Sequence, residues 1–294
     1  IAARNPFTFA GFAMEHRTLI ETDELARHLQ DPAWRIIDVR HNLADVNAGF
    51  AHYSLAHIAG AHFLHLDRDL SAPKTGNNGR HPLPSAASFS QTLRRLGVDQ
   101  GQTIVIYDDA GGMIAARLWW MLRWCGIFSA GVLNGGWQKW CAEQRPTSAE
   151  RPSVTPSEFS AGGNRHAWVD VDYVQQHLAR DDMLLLDARS AERFRGENET
   201  LDPVGGHIPG ARNHFFQQNL DARGCFKSAG ELRSQFHTLL GDCPPQQVIH
   251  QCGSGVTACH NLLAMEVAGL HGSRLYPGSW SEWCADPARP IVNK

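Results

Sequence analysis

Val248-Ile249-His250-Gln251-Cys252-Gly253-Ser254-Gly255-Val256-Thr257-Ala258-Cys259 is the stretch from which the rest of the chain can be read. A short apolar run leads into a cysteine, and two glycines frame the serine behind it. Ala258, Leu262 and Met265 then share one face, with Cys259, Leu263 and Val267 beside them, which predicts a helix that Gly269 ends. Strand, tight loop and helix in that order turn several backbone N–H groups toward one point, the position of the Cys252 sulfur. Amides converging at a helix N-terminus stabilise negative charge and so favour a thiolate over a thiol. Gly253 and Gly255 allow the loop backbone angles that a β-carbon forbids. A buried cysteine beside an ordinary strand–helix turn is the competing explanation, and the loop alone does not dismiss it.

The surrounding elements occur twice. Trp34-Arg35-Ile36-Ile37-Asp38-Val39-Arg40 predicts a strand ending in D-x-R, and Leu184-Leu185-Leu186-Asp187-Ala188-Arg189 repeats it. His57-Ile58-Ala59-Gly60-Ala61 returns as His207-Ile208-Pro209-Gly210-Ala211, and the buried strand Ile104-Val105-Ile106-Tyr107 returns at Val248-Ile249. A G-x-W-x-x-W block stands at Gly135 and again at Gly278. Gly112 and Gly255, Gly126 and Gly269, Trp137 and Trp280, and Trp140 and Trp283 are each 143 positions apart, while the earlier landmarks lie 149 or 150 apart. That register marks an internal duplication. Short apolar strands alternating with helices predict an α/β fold of two tandem domains, each a parallel sheet flanked by helices on both faces. The boundaries expected are 15–145, a Pro/Ser/Thr/Ala/Gly-rich linker at 146–164, and 165–294. The tryptophans of the G-x-W-x-x-W blocks are expected to be packing anchors. The 143-residue offset sets Asp109 against Cys252, so the fold does not demand a thiol there, and Cys252 becomes a candidate for chemistry.

Bulk properties narrow the field. With 294 residues the chain is long enough for two cores, and 43% hydrophobic with 19% charged residues fits a globular protein. A formal net charge of −3 provides no basic footprint, so no nucleic-acid partner is expected. No apolar run reaches membrane-spanning length, the best one being cut by Arg117 and Arg123. Seven cysteines, an odd number without small-domain spacing, point to a reducing compartment and a cytoplasmic location. Residues 1–13 lack a basic stretch followed by a long apolar core, so they are set outside the fold, with Met14 a candidate start.

Two halves with D-x-R, H-I-P-G-A, a C-G-S-G-V-T-A loop and a closing G-S-W-S-E-W resemble the tandem rhodanese-domain sulfurtransferases over about residues 19–290. The loop is similar to that of the 3-mercaptopyruvate type, whereas thiosulfate-preferring members carry Arg and Lys directly after the cysteine. The resemblance implies a non-catalytic first domain, a catalytic second domain, a Cys252 persulfide and no cofactor. It implies a small-molecule sulfur donor and an acceptor such as thioredoxin, a small thiol or cyanide. The amides of Gly253, Ser254, Gly255, Val256 and Thr257 would hold the outer sulfur. A loop without cations suits a donor bearing one carboxylate, which needs an arginine elsewhere; by resemblance that is Arg193. The family's second substrate arginine, in an E-P-x-P-R-like stretch, has no counterpart in 196–203, leaving Arg195 or Arg40 as replacements. A Ser–His–Asp relay is implied with Ser254 as the serine, His57 as the histidine and Asp45 as the aspartate. Asp38 and Asp187 are expected to hold their loops by hydrogen bonds.

Other classes fit less well. A cysteine phosphatase loop, C-x5-R, would need arginine at 258, which is Ala258. His52, His57, His62 and His65 lack zinc-motif spacing, and no metal is assigned. A Cys252–Cys259 disulfide is disfavoured by the intervening helix. Thiosulfate:cyanide sulfur transfer and a non-catalytic persulfide carrier remain the alternatives.

Overall fold

The computed structural model describes residues 17–178, 180 and 182–293; residues 1–13 and Met14, discussed above, lie outside them. The first half contributes β1 (Leu19–Ile20), β2 (Trp34–Asp38), β3 (His57–Ile58), β4 (His62–Phe63), β5 (Thr103–Tyr107), β6 (Ala130–Leu133) and β7 (Thr147–Ser148). The second contributes β8 (Leu184–Asp187), β9 (Arg212–Asn213), β10 (Val248–Gln251) and β11 (Arg274–Leu275). Five strands form one parallel sheet in the order β1-β6-β5-β2-β4, and four form another in the order β11-β10-β8-β9. β3 and β7 make a small antiparallel pair. Two α/β units with parallel sheets are thus present, as the duplicated pattern predicts.

Alternation along the strands builds two kinds of core. Ile36 and Val105 face outward with Tyr107 and the fully buried Trp140, and Leu185 and Ile249 face outward with Trp280 and Trp283. The tryptophans anchor packing, each donating its indole N–H to a backbone carbonyl: Trp140 to Pro146, Trp280 to Val204 and Trp283 to Pro290. Ile37, Ile104 and Ile106 of the first sheet and Leu184, Leu186 and Val248 of the second point the other way, into one cluster shared by both halves. Its centre is the helix Ala115–Trp124 packed on the helix Ala258–Val267, both almost wholly buried. The two halves therefore share a core.

The D-x-R ends serve the frame, as expected. Asp38 accepts the Arg40 amide and Nε, each at 2.9 Å, and Asp187 does the same for Arg189 at 2.9 and 3.0 Å. Each guanidinium then lies over a G-x-W tryptophan, Arg40 at 4.4 Å from the Trp137 ring centre and Arg189 at 4.8 Å from Trp280. The 146–164 segment is laid along the first half. Ser157 Oγ donates to Val98 O, Arg94 Nε to Phe159 O, and the Asn164 amide to Trp124 O.

Superposing the hydrogen-bond patterns corrects the alignment of the halves. Asp38 pairs with Tyr107 as Asp187 pairs with Gln251. The Trp137 amide donates to Asp108 O at 2.9 Å, and the Trp280 amide to Cys252 O at 3.0 Å. The counterpart of Cys252 is thus Asp108, not Asp109: the first-half loop has one extra residue before Gly112, which a constant offset taken from the glycines cannot register.

Candidate active site

Cys252 closes β10 and is 2% exposed. Its amide donates to Ser279 Oγ at 3.1 Å, and the Ser254 amide donates to its sulfur at 3.4 Å. Gly255 takes φ +74°, and a β-carbon there would meet Pro277 O at 2.2 Å, so the close turn requires glycine. Gly253 is different: its φ is not left-handed, and a β-carbon there would stand 2.7 Å from Arg80 Nη2, the end of a long side chain that can shift.

The first half shows what this loop is shaped to hold. The Asp108 carboxylate, at the position of Cys252, accepts four backbone N–H groups: Ala110 and Gly112 at 2.9 and 2.8 Å, Ile114 and Ala115 at 2.7 and 2.9 Å. In the second half the amides of Gly253, Gly255, Val256 and Thr257 have no acceptor among the described residues. Gly255 and Thr257 are the counterparts of Gly112 and Ile114. One scaffold therefore makes two anion cradles, one filled by its own carboxylate and one open around a cysteine sulfur.

The histidine and aspartate that meet Ser254 are not those expected. His81 Nδ1 lies 2.7 Å from Ser254 Oγ, and His81 Nε2 lies 3.6 Å from Asp67 Oδ1. Burial pushes His81 down to about 3, so the ring is neutral. With Nε2–H turned to Asp67, Nδ1 accepts the Ser254 hydroxyl proton. His57 stands elsewhere, its ring nitrogens 2.7 Å from Tyr53 O and 3.0 Å from Glu150 O, and its ring stacked on Tyr53. Its repeat partner His207 does the same with Phe194. Asp45 is exposed and accepts the Asn47 amide of its own turn. His81 sits in the polar 71–84 loop, whose counterpart in the second half is a shorter loop closed by the matching backbone hydrogen bond and carrying no histidine, and that asymmetry was the available signal.

Arg193 lies at the site, held on Glu199 through Nε (3.0 Å) and Nη2 (2.9 Å) and on Asp202 through Nη2 (3.2 Å). Arg80, from the first half, pairs with the same Asp202 through Nη1. Arg40 is committed to Asp38, and the exposed Arg195 pairs with Glu197 at 2.8 Å, so neither joins Arg193. Beneath the loop the fully buried Arg117 donates to Gly255 O at 3.1 Å, which fixes the loop's floor to the first half.

Other cysteines and histidines have quieter roles. All seven cysteines are free; burial raises the Cys125 and Cys259 thiols to about 12 and Cys284 to about 11. Cys259 donates to Gly255 O rather than pairing with Cys252. His41, His65 and Asp67 bring ligand atoms within 4.8 Å of one another, but His65 Nδ1 already accepts the Asp67 amide and Nε2 faces Val46 O. Among the described residues no helix is long and apolar enough to cross a membrane.

The family model described as "Rhodanese-like domain" matches residues 21–143 and again 170–286. The chain belongs to the rhodanese-like family. A curated relative, "Probable 3-mercaptopyruvate sulfurtransferase" of Pseudomonas aeruginosa, is 42% identical over 281 residues, 95% of this chain and 99% of that protein. The thiosulfate sulfurtransferase of Rattus norvegicus is 33% identical over 279 residues, 91% of this chain and 92% of its own. The crystal structure of SseA from Escherichia coli, a 3-mercaptopyruvate sulfurtransferase, superposes with a TM-score of 0.79 at 32% identity, covering 90% of this chain and 99% of that one. The tandem rhodanese frame, with its cysteine loop in the second domain, accounts for both the duplication and the asymmetry between the cradles.

Proposed function

We propose that this protein is a sulfurtransferase that moves sulfur from 3-mercaptopyruvate to a thiol acceptor through a persulfide on Cys252. One observation carries the reading: a cysteine sulfur sits in an amide cradle whose duplicate holds a carboxylate, so the loop is built for an anion at that point. In the first step the Cys252 thiolate attacks the donor sulfur. The S–S bond forms as the donor's C–S bond breaks, and the electron pair leaves as the enolate of pyruvate. The donor's thiol proton ends on the enolate carbon, and Ser254, His81 and Asp67 are positioned to relay it. The outer sulfur, now anionic, rests against the unpaired amides of Gly253, Gly255, Val256 and Thr257. A thiolate acceptor then attacks that sulfur, the S–S bond breaks toward Cys252, and the thiolate returns. The chemistry fits a thioredoxin dithiol, a small thiol or cyanide as acceptor.

Arg193 is the donor's carboxylate partner in this reading, because its guanidinium stands beside the cysteine loop on a rigid acidic support. The names of the relatives divide between mercaptopyruvate and thiosulfate, so thiosulfate is the second donor to test. Steady-state kinetics of wild type and Cys252→Ser with both donors decides the matter. The expected outcome is a strong preference for mercaptopyruvate, with no turnover in the variant. Mass spectrometry of donor-treated wild type should show one added sulfur on the Cys252 peptide. A protein that gains this sulfur yet turns over no donor would be a persulfide carrier instead.

A further inference from the structure

The acids around the site take up part of each guanidinium and leave part of it free. Arg193 spends Nε and Nη2 on Glu199 and Asp202, and Arg80 spends Nη1 on Asp202. That leaves Arg193 Nη1 and Arg80 Nη2 without partners among the described residues, and both guanidiniums lie beside Gly253. A β-carbon on Gly253 would lie 2.7 Å from Arg80 Nη2, and 3.4 and 3.5 Å from Arg193 Nη2 and Nη1. Gly253 directly follows the reactive cysteine. Arg80 is also braced from the second domain: its amide donates to Ser281 Oγ at 3.0 Å, and Gly79 is packed so close to Gly278 that a β-carbon would meet Gly278 O at 2.8 Å.

We infer that Arg80, supplied by the first domain, is the second carboxylate-binding residue of the site, and that Arg80 Nη2 and Arg193 Nη1 together grip the carboxylate of the sulfur donor. Two planar guanidiniums beside one residue suit the two oxygens of a carboxylate, and Asp202 already shows a carboxylate bridging this pair. Glu199 and Asp202 cancel the two positive charges, so the clamp recognises a singly charged group by hydrogen bonds rather than collecting a dianion by net field. This inference rests on the reading of the site as one for a keto acid thiol, and it replaces the arginine that the 196–203 segment lacks.

The test compares wild type, Arg80→Ala and Arg80→Lys with 3-mercaptopyruvate and with 1-mercaptopropan-2-one, the same donor without its carboxylate. In Arg80→Ala, KM for mercaptopyruvate should rise roughly tenfold to a hundredfold, as for loss of a charge-assisted hydrogen bond. Its kcat should change little, Arg80→Lys should fall between, and the carboxylate-free donor should be unaffected. Calorimetric binding of pyruvate to the same proteins should weaken in parallel, and that readout needs no turnover. Equal losses with both donors would assign Arg80 a purely structural role and overturn the inference, as would unchanged pyruvate binding. If Arg80→Ala does not fold, Arg80→Lys carries the same two readouts. A wild type that binds pyruvate through Arg80 but never turns over mercaptopyruvate would refute the proposed function and leave the clamp standing.

Discussion

Ser254 shares its hydroxyl with a histidine from the other domain, and that hydrogen bond separates His81 from the other buried histidines. A group that relays a proton in the transition state is worth about a hundredfold to ten-thousandfold in rate, so His81→Ala should lower kcat by that order, and Asp67→Asn in the same direction. His57→Ala should leave kcat nearly intact and instead lower stability by about 1–3 kcal/mol, the cost of leaving buried carbonyls unsatisfied. Measuring kcat and urea unfolding on the three variants separates the roles. His250 makes a third kind of case. It is fully buried in β10, neither ring nitrogen has a partner among the described residues, and burial pushes it down to about 3. His250→Leu should therefore be neutral or stabilising, and more so at pH 5 than at pH 7, because only the unfolded wild type takes up the proton.

At the scale of the element, the strand–loop–helix unit was copied and one copy was closed with its own side chain. Asp108 satisfies four amides at the start of the Ala115–Trp124 helix. Removing it in Asp108→Ala should cost at least about 3 kcal/mol, since several buried N–H groups lose their acceptor at once. Asp108→Asn, with one acceptor oxygen kept, should cost less, and chemical denaturation would rank the two. The duplication made these elements legible from sequence: D-x-R, the buried strands and the tryptophan blocks stand where their spacing places them. The same logic was available for the histidines. A residue present in both halves belongs to the scaffold, and His57 has His207 as its copy, whereas His81 has none. Asp108 was hidden by the one-residue difference in loop length, which only the strand register exposes.

Across the whole molecule the two domains behave as one body. They share a core, Arg117 of one supports the loop of the other, His260 Nε2 reaches Gly111 O at 3.0 Å, and Arg123 pairs with Glu266 at 3.1 Å. Unfolding followed by far-ultraviolet and near-ultraviolet dichroism should show one coincident transition. Acid should weaken the whole body as well. Burial holds His62 and His260 down to about 4 and His81 and His250 down to about 3, against an ordinary value of 6.5. Between those limits the unfolded chain binds more protons than the native one, so stability should fall as pH drops from about 6.5 toward 4. Denaturant midpoints across that range would check the slope; a flat profile would mean that these rings are not held neutral.

The chain's own periodicity and repetition were enough to predict two parallel α/β units and to single out Cys252 and its glycine-framed loop as the candidate site, because those features rest on residue spacing along the chain. Arg193 was legible only through its likeness to a family motif. Arg80, His81 and Asp67 belong to loops and a short helix of the first domain with no periodic signature. Their approach to Ser254 and Gly253 comes from packing the Ala115–Trp124 helix on the Ala258–Val267 helix. Contacts across more than a hundred residues are set by how apolar faces dock and not by local spacing. The cysteine was therefore written in the sequence, and its partners were settled by the docking of the two domains.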